Sequence, residues 1–102
     1  MNEEQKQAYR EKLEANLDGL KADLDKIQAK INEAKADTEV SYLRRLEDLR
    51  TKRKDLKTRL SGLKEAAESG WEDVKASLDE SWERLKEEAV DLGSSLSITD
   101  KD

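Results

Sequence analysis

The chain contains no cysteine, histidine, proline or phenylalanine. Without cysteine there is no disulfide and no thiol chemistry, and without histidine there is no imidazole base and no imidazole metal ligand. The Glu-x-x-His ligand sets of di-iron bundles are excluded on the same ground. Aromatics are scarce: Tyr9, Tyr42, Trp71 and Trp82 are the whole set. Glycines are four, at 19, 62, 70 and 93. No apolar run approaches the ~20 residues of a membrane-spanning helix. The opening residues, Met1-Asn2-Glu3-Glu4-Gln5-Lys6, are polar and do not read as a signal peptide, so the expected location is the cytoplasm.

Charge is plentiful. Of the 102 residues 44% are charged and 34% apolar, with a net charge of −5. That balance would mean disorder if the apolar residues were scattered. They are periodic instead. From Leu13 to Ala34 the apolar residues are Leu13, Leu17, Leu20, Leu24, Ile27, Ile31 and Ala34, at alternating steps of four and three. This is a heptad seam, with Leu17, Leu24 and Ile31 at a and Leu13, Leu20, Ile27 and Ala34 at d, and it predicts a helix that buries one narrow stripe against other helices. The expected class is therefore all-α, an antiparallel coiled coil or helical bundle. Gly19 falls outside the seam and costs the helix about 1 kcal/mol relative to alanine.

The repeat slips near residues 35–42, where Ser41 takes the next d position, and resumes with Tyr42, Leu46, Leu49, Leu56, Leu60, Leu63 and Ala67. Arg53 puts a charge on this second ladder. No glycine or proline enforces a turn between the two parts. The favoured reading is one continuous helix over 3–67, begun at an Asn2 cap; a hairpin broken near 36–41 is the alternative.

Ser69 and Gly70 mark the clearest boundary, with Ser69 and Glu72 spaced as a capping box. A second helix over 70–92 follows, its apolar face made of Trp71, Val74, Leu78, Trp82, Leu85, Ala89 and Leu92. Trp71 and Trp82 are eleven residues apart and share that face. Gly93 is the expected helix stop. Residues 1–93 thus form a single helical coiled-coil domain, and 94–102, held only by Leu96 and Ile98, a mobile tail.

Charge is segregated along the chain. Residues 1–41 carry seven basic and ten acidic groups, 42–64 nine basic and three acidic, and 65–91 three basic and ten acidic. Folding the last helix back on the basic middle sets opposite charges side by side, which selects orientation more than it stabilises.

Three functional readings compete with bland ones. The run Arg44-Arg45-Leu46-Glu47-Asp48-Leu49-Arg50-Thr51-Lys52-Arg53-Lys54 could meet phosphates, but interrupting acids and the absence of aromatic platforms favour the flank of a helix seam; nucleic acid is not an expected partner. The Trp helix could lie on a lipid surface, but its polar face is acidic and packing in a bundle is favoured. The carboxylate pairs Glu72/Asp73, Asp79/Glu80 and Glu87/Glu88 sit on a solvated helix face without a cleft, so no catalytic residue is assigned. No cofactor and no metal site is expected, since no Asp/Gly loop gathers oxygens around an ion.

From Thr51 onward the chain resembles a family of small bacterial coiled-coil-domain proteins of unassigned activity. The segments that carry the likeness are Lys52-Arg53-Lys54-Asp55-Leu56-Lys57-Thr58-Arg59-Leu60, Leu63-Lys64-Glu65-Ala66, Trp71-Glu72-Asp73-Val74-Lys75 and Trp82-Glu83-Arg84-Leu85-Lys86. The resemblance covers about half the chain and implies a long Ala/Lys/Glu-rich helix followed by a paired-Trp amphipathic helix, with no catalytic residues. The eleven-residue spacing is also similar to apolipoprotein-type and desiccation-protection helices. The reading reached is a non-catalytic structural or protein–protein interaction protein. Its expected partner is itself, through coiled-coil self-association, or another helical protein. A lipid-surface or stress-protection protein is the alternative.

Overall fold

The computed structural model describes residues 3–34, 39–63 and 70–100; side chains are described except at 34, 39 and 97–100. The described residues form three helices and no strand: α1 (Glu3–Ala34), α2 (Glu39–Gly62) and α3 (Trp71–Asp100). Each packs against the other two, in a rod of 52 × 18 × 15 Å. The fold is an all-α helical bundle. Its length matches α1, whose 32 residues span about 48 Å at ~1.5 Å per residue.

The continuous helix over 3–67 is replaced by the hairpin. Arg50 of α2 reaches Asp25 and Gln28 of α1, and Arg53 reaches Leu17, so the two run antiparallel. Lys52 meets Glu88 and Arg59 meets Ser77 and Ser81, so α3 runs antiparallel to α2. It is therefore parallel to α1, in an up-down-up bundle. The physical reason lies in the seam: one stripe cannot hide along a 100 Å rod, but three short helices turn their stripes to a common axis. The Asn2 cap, residues 35–38 of the slip, Ala67 and Ser69 of the capping box lie outside the described residues, as do the side chains of Ala34 and Ile98.

The core holds most of the seam residues, together with Ala89, Leu92 and Leu96. Leu13, Leu17, Leu20, Leu24, Ile27 and Ile31 of α1 are buried, as are Leu46, Leu49, Leu56, Leu60 and Leu63 of the second segment. In α3, Trp71, Leu78 and Leu85 are buried, while Val74 and Trp82 are partly covered against the core. Glu3 and Glu4 open α1, and Glu72 and Asp73 open α3, where carboxylates suit the positive end of a helix.

The last helix departs from expectation. It passes through Gly93 to Asp100, and Leu92 and Leu96 are both 0% exposed. The helix over 70–92 and the tail from 94 are thus corrected: residues 94–100 continue the helix, and Leu96 is buried on the bundle. The cause is a heptad that the eleven-residue spacing obscured. Trp71, Leu78, Leu85 and Leu92 step by seven, and so do Trp82, Ala89 and Leu96. Burying Leu96 outweighs the cost of one internal glycine, ~1 kcal/mol against ~2 kcal/mol for a buried leucine. The φ of Gly93 lies outside the left-handed region that a glycine stop would use.

Candidate functional site

Part of the positive charge on α2 is spent on contacts with the neighbouring helices. Arg50 Nη2 lies 3.0 Å from Asp25, Lys52 Nζ 2.9 Å from Glu88, and Arg53 Nε donates to the Leu17 carbonyl at 2.8 Å. Hydrogen bonds to Glu88 and Asp48 raise the Lys52 ammonium pKa. The basic run singled out from sequence therefore serves, at these three positions, to hold α1 and α3 beside α2. Arg44, Arg45 and Lys54 of the same run are exposed.

Arg53 resolves the charge on the seam. Its stem fills a ladder position, its side chain is 14% exposed, and its head leaves the core to reach Leu17 and Asp18. Lys6 does likewise on α1: it occupies the d position before Leu13, is 5% exposed, and its ammonium lies 3.7 Å from Glu3. Long cationic side chains can cover apolar surface with their stems while the head stays polar.

The start of α1 meets the start of α3 through Tyr9. Its ring stands edge-on to Trp71, centroids 5.4 Å apart at 89°, and its hydroxyl donates to Asp79 Oδ1 at 2.6 Å. Lys75 Nζ is 5.7 Å from the same ring centroid. Burial first, then the hydrogen bond and charge of Asp79, push the Tyr9 phenol above its ordinary range. Trp71 Nε1 and Arg10 Nε are buried without a hydrogen-bond partner among the described residues. These contacts lock two helix starts together.

A separate concavity lies between α1 and α3. It is an open groove of about 940 Å³. On the α1 side stand Ala15, Gly19, Leu20 and Ile27; on the α3 side Trp82, Ala89, Val90 and Gly93. Small residues at 15, 19, 89 and 93 leave the space that larger side chains would fill. A Cβ built on Gly19 meets no described atom within 4 Å, and one on Gly93 meets only Ile27 Cδ1, at 3.9 Å. Val90 is 59% exposed on this face. Of the residues singled out from sequence, the groove gathers Gly19, Leu20, Ile27, Trp82, Ala89 and Gly93, while the other seam residues do not line it. Val90 and the lysines of the groove carried no periodic signal and were not found from the sequence.

No group of three or more carboxylates that could hold a metal ion occurs among the described residues, and no described helix is long and apolar enough to cross a membrane. No protein-family model, curated protein or solved structure matches this chain.

Proposed function

We propose that this chain is a non-catalytic protein–protein interaction protein, a bundle complete within one chain that offers its α1/α3 face to another helical protein. The observation that carries this reading is a contrast. The leucine seam is covered internally, with Leu17, Leu24, Ile31 and Leu78 all at 0% exposure, while the α1/α3 groove stays open with Val90 beside it. The seam was the reason to expect self-association, and it needs no second copy once three helices share it. The carboxylates considered for acid–base work at 72, 73, 79, 80 and 87 are exposed, and Glu88 is tied to Lys52. A solvated carboxylate is a poor general acid or base at neutral pH. The lipid-surface alternative loses its main support, because Trp71, Leu78 and Leu85 of the Trp face are at most 2% exposed.

A photo-crosslinking amino acid placed at Val90, and in a control at Val40, tests the reading in the cells from which the protein comes. Both side chains are exposed, at 59% and 62%. The reading predicts a discrete crosslinked protein from position 90 and none from position 40. Equal, diffuse labelling from both sites would count against it.

A further inference from the structure

The α1/α3 groove carries positive charge on a chain whose net charge is −5. Lys26 and Lys30 of α1, one turn apart, and Lys86 of α3 line it against a single carboxylate, Asp23. Glu83 and Glu87 flank Lys86 in sequence but do not line the groove. The floor is apolar, with Leu20, Ile27 and Ala89, and Val90 is among the exposed large apolar side chains.

The geometry points to one occupant: a single acidic amphipathic helix from a partner protein, laid along the groove as a fourth helix of the bundle. Its apolar ridge would meet Trp82 and Val90, and its flanking Asp or Glu side chains would face Lys26, Lys30 and Lys86. This rests on the interaction reading above and gives it a partner chemistry. Length agrees: the α1 lining runs from residue 15 to residue 30, about 22 Å or four helical turns. So does depth. Gly19 and Gly93 lower the two walls, and neither is forced by contacts within the chain, since a Cβ has room at both. Small residues on facing helices let backbones approach closely, and helix-in-groove recognition reads apolar anchors at helical spacing.

Other occupants fit less well. Two copies related by a two-fold axis would turn one concave face on another, leaving a void and setting lysines against lysines. A ridge of one copy in the groove of the next is heterologous and leads to rings or open filaments rather than to a closed pair. An anionic bilayer has the charge but is flat where the groove is concave.

The test uses two synthetic helices of about four turns with one shared Ala/Leu face, one flanked by Glu and the other by Lys. Titration calorimetry and amide shift mapping of the intact chain provide the readouts. The Glu helix is expected to bind, with shifts confined to residues 15–30 and 82–94. Its affinity should fall at least about tenfold between low salt and ~1 M salt, as the Debye length shrinks from ~30 Å to ~3 Å. Lys26→Glu with Lys86→Glu, both at exposed positions, should abolish that binding and admit the Lys helix. Gly19→Leu should block both helices while leaving the circular dichroism intact. Equal binding of the two helices, or shifts elsewhere, would overturn the proposal. So would binding of dodecanoate or phosphatidylglycerol vesicles without the Glu helix, or a dimer abolished by Gly19→Leu. If crosslinking at Val90 persists while the charge rule fails, only the partner chemistry is lost. If no crosslink forms at all, the interaction reading itself is lost.

Discussion

Replacing Gly93 by alanine should stabilise the protein, and the sign of the effect is diagnostic. Gly93 lies inside α3, with a backbone any L-residue adopts, and an added Cβ would sit 3.9 Å from Ile27 Cδ1. That is ordinary van der Waals contact, so nothing must shift. The helix gains about 1 kcal/mol from the glycine-to-alanine change. The new methyl contact adds on the order of 0.1–0.2 kcal/mol. For a domain of this size each kcal/mol raises Tm by roughly 4–8 °C. Urea denaturation followed by circular dichroism, and in parallel by Trp fluorescence, measures it directly. Were Gly93 a left-handed helix stop, alanine there would instead cost roughly 1–2 kcal/mol. A destabilised Gly93→Ala variant would therefore refute the continuous α3 and restore the ending that the sequence suggests.

Leu96→Ala should cost about 2–5 kcal/mol, as for a core leucine, because the side chain is 0% exposed; a change under ~0.5 kcal/mol in the same denaturation assay would mean the segment is undocked. Arg53→Met keeps the stem and loses the hydrogen bond to the Leu17 carbonyl, for an expected loss of about 1.5–3 kcal/mol offset in part by the apolar side chain; Arg53→Ala should cost more, and the reverse order would contradict a packed stem. Stability should hold to about pH 10 and fall above it. Tyr9 ionises near 10.0 when unfolded and later when folded, so the folded state keeps its proton and loses this advantage as pH rises. Tyr9→Phe should flatten that alkaline decline in a pH series of urea midpoints, and an unchanged slope would count against the buried phenol.

The heptad made α1 legible down to single residues, because a buried stripe of alternating four and three steps has one physical interpretation. The second ladder was equally clear, Arg53 included. The reversal of direction between α1 and α2 was not, since no glycine or proline separates the two ladders. In α3 two periodicities competed: the Trp pair suggested eleven, while Leu78, Leu85, Leu92 and Leu96 kept the heptad through Gly93. A local glycine preference of ~1 kcal/mol was overridden by core burial. The groove was the least legible feature. It arises from how α1 and α3 are rotated about their axes, which places Gly19, visible in sequence only as an unexplained cost, opposite Val90 and Lys86.

Light scattering on the purified chain across a wide concentration range tests the central claim, that one copy closes its own leucine seam. The account predicts a constant 11.7 kDa, with Trp fluorescence already blue-shifted in plain buffer. A mass near twice that value at every concentration reached would contradict it, because the same leucines would then be hidden between copies.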